Sequence, residues 1–272
     1  MNPINKKAVV VSEGWLGDAI ACSAAASSLS EIGYETTLLI RWPQLKSIFD
    51  SDPRFKTVVY GKYLTYKISR PILPSRFDLI VREPKGWSYA APFTVEIRKI
   101  AGVEPKPDYQ LYLPNDINSK NENRIRPQIA ISRDIEKRAY GRNIEDFLQK
   151  ISTFADIKQV GLDSSMNSKH GKSHSLLDDA VLIRNSDLFI GPEGGLLWLA
   201  AGLGTQCIYF TEHIIEVERK HKTKGLMRVL GSENHFPNAN HKALQPYCTN
   251  LEAIDTIKVQ LKYIKSNKED KH

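Results

Sequence analysis

The sequence is short of cysteine and has no long apolar run, and each shortage removes a class of protein. Its three cysteines, Cys22, Cys207 and Cys248, lie far apart with no CxxC among them. A disulfide scaffold or a cysteine-based zinc site therefore does not fit, and a reducing compartment is expected. The longest apolar stretch, near Leu196–Phe210, is broken by Gly202, Gly204 and Gln206. It falls short of the roughly 20 apolar residues that cross a bilayer as a helix. The polar start, Met1–Lys7, runs directly into Ala8-Val9-Val10-Val11, which reads as a strand and not as the apolar segment of a secretion signal. The expectation is a soluble, cytoplasmic protein. No repeat of short period is present. The six histidines from His170 to His241 (His170, His174, His213, His221, His235, His241) are scattered without metal-ligand spacing. Of these, His213 is best placed to reach a site.

What remains is ordinary globular composition. The chain has 272 residues, 41% hydrophobic and 25% charged, enough for one large or two small domains. Its 38 Lys and Arg against 31 Asp and Glu leave a formal charge of +7, a moderate excess that suits an anionic partner or substrate.

Short β-rich runs alternate with helical ones. Strands are expected at Ala8–Val11, Thr36–Ile40, Thr57–Tyr60 and Asp78–Val81. Helices are expected at Ala19–Ile32, after a turn at Gly14–Asp18, and at about Tyr89–Ala101. Pro105, Pro107, Pro114 and the polar run Asn115–Asn123 read as an interdomain connection. The alternation restarts with strands at Gln128–Ser132, Ile157–Val160, Leu188–Ile190 and Gln206–Phe210. The intervening helices are Asn143–Phe154, Leu176–Arg184 and Gly195–Gly202, with a last one at Leu251–Ile264 and a frayed charged tail from Lys265. Continuous apolar strands alternating with helices imply parallel sheets covered on both faces. The reading is therefore α/β, with two Rossmann-like domains, 1–123 and 124–272, facing a central cleft.

Two loops concentrate the chemistry. In the first, Val9-Val10-Val11-Ser12-Glu13-Gly14-Trp15-Leu16-Gly17-Asp18, a buried strand enters a glycine-bearing turn and then a helix. Ligands of open parallel sheets sit at the C-terminal ends of strands. Asp18 is open to two readings: a carboxylate capping backbone N–H groups, or a general base for an acceptor hydroxyl. A helix N-terminus stabilises a carboxylate and lowers its basicity, so the second reading needs burial or substrate to compensate. In the second loop, Leu188-Phe189-Ile190-Gly191-Pro192-Glu193-Gly194-Gly195, a strand again ends in a turn that opens a helix. Its spacing is neither Walker A nor GxGxxG. It is either a structural turn or a phosphate site made of the backbone N–H groups of Gly194 and Gly195, with Glu193 beside them for sugar hydroxyls.

The first loop resembles the N-terminal Gly-Asp turn of family 9 glycosyltransferases, the heptosyltransferase-like group. The run Gly191–Gln206 resembles that family's G-x-D-S/T-G-x-x-H-L-A-A-A-L-G-T-P segment. The similarity covers about Val9–Pro53 and Arg124–Glu212. Three departures stand out: Glu193 replaces the usual Asp, Gly194 the hydroxyl residue and Trp198 the His. They remove a hydroxyl contact to phosphate and leave room for a sugar other than heptose. The resemblance implies a GT-B fold, an acceptor on the N-terminal domain and a nucleoside diphosphate sugar on the C-terminal one. It also implies inversion at the anomeric carbon with no obligatory metal and no cofactor beyond the sugar nucleotide. Asp18 would be the catalytic base, with Trp15 and Gly17 beside the acceptor. The basic residue that pairs with the donor diphosphate matches Arg138 best, with Arg133, Lys137 and Arg142 nearby. Asp178 and Asp179 would hold ribose hydroxyls or cap their helix. Asp50-Ser51-Asp52 has the letters of a metal motif but follows a helix and reads as a turn cap.

Residues 54–85 contain eight basic side chains, Arg82 and Lys85 among them, against two acidic ones. Tyr60, Tyr63, Tyr66, Trp87 and Tyr89 are interleaved with them or follow directly. Such a stretch suits a phosphorylated glycolipid such as lipopolysaccharide core. It equally suits DNA, in which case a phage-type enzyme in the host cytoplasm would glycosylate an extruded hydroxymethylated base. A solvated surface, or a non-catalytic nucleotide- or sugar-binding protein, completes the alternatives.

Overall fold

A computed structural model of the chain describes residues 6–60, 76–84, 93–113, 124–135, 143–161, 175–211, 241–245 and 248–269. The described residues up to Leu113 form one compact unit and those from Arg124 onward another.

The N-terminal unit is a four-stranded, wholly parallel sheet: β1 (Lys7–Ser12), β2 (Glu35–Ile40), β3 (Lys56–Val59) and β4 (Leu79–Arg82). Its spatial order is β3-β2-β1-β4. β1 is the inner strand that reaches both neighbours, with Val10 paired to Leu38 on one side and Val81 on the other. That position explains its unbroken Ala-Val-Val-Val run, since both faces are covered. Helix α1 (Leu16–Glu31) buries Ala19 to Ser27 almost continuously. Its Ala and Ser side chains let the helix lie close to the sheet, and Ser23 and Ser27 turn their hydroxyls back onto the carbonyls of Ile20 and Ser23. A short helix α2 (Lys46–Phe49) follows β2, and α3 (Phe93–Ala101) packs against α1.

The C-terminal unit is a five-stranded parallel sheet in the order β6-β5-β7-β8-β9. Its strands are β5 (Gln128–Ser132), β6 (Asp156–Val160), β7 (Leu188–Pro192), β8 (Gln206–Phe210) and β9 (Lys242–Leu244). Helices α4 (Ile144–Ser152), α5 (Leu176–Arg184), α6 (Gly195–Gly202) and α7 (Asn250–Glu269) connect or close it. Alternate residues of β5, β7 and β8 (Ile129, Ile131, Leu188, Ile190, Ile208, Phe210) form one core with Phe147 and Ile151 of α4 and Ile254 and Ile257 of α7. Phe147 meets Phe210 edge to face at 6.2 Å. No helix among the described residues is long and apolar enough to cross a membrane.

Three local expectations are corrected. Helix α1 starts at Leu16, so Asp18 is its third residue and not part of a turn. The segment through Leu113 belongs to the N-terminal unit instead of linking the units. Buried Arg98 gathers it by donating to the carbonyls of Lys106 and Asp108 and to Ser28, while Leu111 and Leu113 are buried. The C-terminal helix runs on to Glu269, past the expected fraying point. β9 has no counterpart in the sequence reading, because three residues with half-exposed faces carry no period. Asp52 does act as a turn cap: it accepts from the Arg54 backbone at 3.0 Å and from its guanidinium at 2.7 and 2.9 Å.

Next to β9, His241 accepts a hydrogen bond at Nδ1 from the Cys207 backbone N–H, 3.0 Å away. Burial pushes its pKa down to about 4, so it is neutral in the folded chain. The unfolded chain takes up a proton near pH 6.5 that the native one refuses until about pH 4. Stability is therefore complete above pH 6.5 and lost as pH falls through that window, by at most about 3 kcal/mol. His241→Asn, which keeps an acceptor for Cys207, is expected to flatten this pH dependence in urea melts between pH 7 and 4.5.

Candidate functional site

In both sheets the chain starts at an inner strand, runs outward in one direction and then returns to that strand's other side. The first switch point lies between β1 and β4, the second between β5 and β7. At such points the loops beyond the strands' C-terminal ends diverge and leave a crevice for a ligand. Both sequence-selected loops leave a strand that flanks one of these points.

At the first, the β1–α1 loop is held by Glu83, the residue after β4. One Glu83 carboxylate oxygen accepts from the backbone N–H of Glu13 at 2.8 Å, that of Gly14 at 3.0 Å and the Ser12 hydroxyl at 3.2 Å. Asp18 accepts from the Trp15 backbone N–H at 2.8 Å, so it closes the first turn of α1 as an acidic residue three positions after the cap. Gly14 sits between the two carboxylates. A Cβ on it would lie 2.2 Å from Asp18 Oδ2 and 2.4 Å from Asp18 Cγ, so only a residue without a side chain leaves Asp18 where it is. Burial raises the Asp18 pKa, and its hydrogen bond from Trp15 opposes this without cancelling it. Burial also raises Glu83, with the Asp18 charge adding to the effect.

Aromatic and basic groups surround these acids. Trp15, 61% exposed, stacks on Trp42 at 4.3 Å and 9°, and the Arg41 guanidinium covers Trp42 at 4.9 Å. The Tyr60 hydroxyl donates to the Ser12 carbonyl at 3.3 Å, and burial pushes its pKa up to about 12. Arg82 lies 4.0 Å from the Glu13 carboxylate. Trp15, Gly17, Asp18 and Arg82 thus fall at one end of one sheet. Tyr60, one of the aromatics of the basic stretch, joins them, as do Glu83 and Trp42, which had not been singled out as site residues. The signal for Glu83 was its place just after β4, the strand across the switch point from β1, which becomes informative only when strand order is known.

At the second switch point, β5 is followed by a single 3-10 turn, Arg133–Ile135. Arg133 is half-buried, and its Nε is buried with no hydrogen-bond partner among the described residues. Across the switch point, β7 leads through half-buried Glu193 to Gly194, whose φ of 155° favours glycine. Gly194 is the N-cap of α6 and has no side chain to cap it, and the backbone N–H groups of such a helix start suit an anion. Asp178 is engaged with its own helix: Ser175 N–H donates to it at 3.0 Å, and its own N–H donates to the Ser175 hydroxyl at 3.1 Å. Its neighbour Asp179, 2% exposed, instead accepts from the Gly161 N–H at 3.1 Å and ties the β6 loop to α5. Lys85, Trp87, Lys137 and Arg138 lie outside the described residues, as do Arg142, Tyr63, Tyr66, Tyr89 and His213. Arg54, from the basic stretch, is held by Asp52. Among the described residues no group of three or more His, Cys, Asp or Glu side chains is placed to hold a metal.

No protein-family model matches the chain, and no curated protein matches it. Solved structures do. ADP-heptose LPS heptosyltransferase II of E. coli superposes with a TM-score of 0.64 at 13% identity, covering 95% of this chain and 99% of the other. A family 9 glycosyl transferase of Veillonella parvula gives 0.58 at 11% identity over 96% and 98%. The fold is GT-B. TibC, an iron-containing dodecameric glycosyltransferase of enterotoxigenic E. coli, gives 0.55 at 13% identity over 76% of this chain. The match spans 58% of TibC's length. The GT-B architecture, and its occurrence in family 9 structures, are what the resemblance of the two loops implies. At these identities the likeness is one of fold.

Proposed function

We propose that the chain is a glycosyltransferase that moves a sugar from a nucleoside diphosphate donor to a hydroxyl of an anionic saccharide acceptor, with inversion and without a metal. The observation that carries this reading is the pair of complementary chemistries at the two switch points. One holds a half-buried carboxylate with raised pKa beside an exposed indole. The other holds a helix start with glycine at its N-cap and a buried arginine N–H that meets no acceptor among the described residues.

The step assigns each group a role. Asp18 takes the proton of the acceptor hydroxyl as its oxygen bonds to the anomeric carbon. The bond from that carbon to the diphosphate oxygen breaks, and the leaving diphosphate keeps the electron pair. Arg133 and the α6 N-terminus stabilise its growing charge, which is where such electrostatic help is most effective. The open face of Trp15, backed by Trp42, suits the C–H face of a sugar ring, which favours a saccharide acceptor such as lipopolysaccharide core. Nothing among the comparisons or the described residues favours DNA.

The test is a thermal-shift screen of ADP, UDP, GDP and CDP, followed by mass spectrometry of incubations with ADP-heptose and other sugar nucleotides, with and without lipopolysaccharide core. A melting-temperature rise with one nucleoside diphosphate and a mass gain of one glycosyl unit on the acceptor are expected. Binding without hydrolysis or transfer on any donor would point to a non-catalytic binding protein.

A further inference from the structure

Glu83 follows β4: its backbone N–H donates to the Val11 carbonyl of β1 at 3.1 Å, and its side chain turns to the β1–α1 loop. It spans 69 to 71 positions of sequence to meet three consecutive residues of the other loop. Two of its donors are backbone N–H groups that would otherwise lack an acceptor at a strand end, so the loop depends on it. The third donor, Ser12, is buried and terminates β1. Gly14 touches both acids at once: its N–H points to Glu83, and the space where a side chain would stand is filled by the Asp18 carboxylate.

We infer that Glu83 is a positioning residue for Asp18: it fastens Ser12, Glu13 and Gly14 so that the loop presents the Asp18 carboxylate, and it places a second carboxylate next to it. The inference rests on the glycosyltransferase reading for what Asp18 is presented to, but the coupling between the two acids stands on this geometry. Two like charges sharing a partly buried site disfavour each other's ionisation, so each makes the other more basic. This opposes the helix N-terminus and the Trp15 N–H, which act on Asp18 in the other direction. It supplies the compensation that a base at a helix start requires. After burial, the Asp18 charge is the next cause that raises Glu83. Among the described residues, the other titratable and charged groups around this end of the sheet are Glu13 in the loop, Cys22 on α1, Arg41 after β2, Tyr60 after β3 and Arg82 in β4. Cys22 and Tyr60 stay neutral through the carboxylate range. Glu13, whose backbone N–H donates to Glu83 and whose carboxylate lies 4.0 Å from Arg82, is controlled for by Glu13→Gln.

The experiment follows the Asp18 carboxyl carbon by NMR in full-length protein labelled with 13C-aspartate, assigned by loss of its signal in Asp18→Asn. Glu83→Gln keeps a carbonyl oxygen for the three donors and removes the charge. The Asp18 midpoint is expected above the ordinary aspartate value in the unsubstituted protein and about half a pH unit or more lower in Glu83→Gln. The amide signals of Glu13 and Gly14 should stay in place in that variant and shift or exchange faster in Glu83→Ala. An Asp18 midpoint unmoved by Glu83→Gln, or moved equally by Glu13→Gln, overturns the inference. This readout needs no substrate, so its failure is distinct from failure to detect transfer. Once transfer is measurable, the acid limb of kcat/KM should move the same way in Glu83→Gln, with kcat changing more than KM.

Discussion

Asp18→Asn is expected to lower glycosyl transfer by about 10²–10⁴-fold while leaving affinity for the nucleoside diphosphate unchanged. The substitution isolates chemistry from structure unusually well. Asp18 has a structural duty, accepting the Trp15 N–H in the first turn of α1, and an asparagine carbonyl can perform it. What asparagine cannot do is accept a proton. The duty explains why a mutation to alanine would be harder to interpret: loss of a cap costs about 1 kcal/mol of stability and would loosen the same loop. The donor diphosphate is assigned to the C-terminal unit, so calorimetric binding of the nucleotide should survive. The pH profile gives an independent check. Burial holds the Asp18 pKa above the ordinary carboxylate value, so kcat/KM should rise with pH through an acid limb displaced upward from the usual aspartate range, and that limb should vanish in Asp18→Asn. A loss of a few-fold only would reduce Asp18 to its structural duty.

The two readings of Asp18 left open by the sequence thus describe one side chain. Its capping geometry follows from local spacing: a carboxylate three residues past the cap reaches back to the cap's N–H wherever a helix begins. Its surroundings do not follow from local spacing, because Glu83, which shares Gly14 with it, comes from the end of β4. The same division holds elsewhere. Gln128–Ser132, Leu176–Arg184, Gly195–Gly202 and Gln206–Phe210 match their sequence bounds to the residue, because apolar runs and capping residues mark both ends. Glu83 and Trp42 escaped because a site at a switch point is assembled by strand order, and strand order is a long-range property. The segment near Pro105 looked like a linker because prolines read alike in a linker and in a strap. Arg98, with Thr94 and Arg54, decides between them by collecting its carbonyls.

Replacing Arg133 by methionine is expected to weaken ADP binding by about 10- to 100-fold, equivalent to about 1.4–2.8 kcal/mol, without destabilising the free protein. The Arg133 Nε is buried and meets no acceptor among the described residues, so its desolvation is uncompensated there. Methionine keeps much of the side chain's length and apolar packing and carries no such N–H. The free protein's melting temperature should therefore hold or rise. The bound state reverses the balance, because a diphosphate oxygen gives the guanidinium a charge-assisted hydrogen bond that methionine cannot make. Since a ligand that binds only the native state stabilises it by RT ln(1 + [L]/Kd), the ADP-induced shift should shrink while the baseline does not fall. Arg133→Lys separates shape from charge: a lysine restores a cation but not the planar fork, so partial recovery is expected. Titration calorimetry of ADP into the three proteins at two salt concentrations measures all of this. Unchanged affinity in Arg133→Met would move the diphosphate to Arg138 or Lys137, the other basic residues that follow β5.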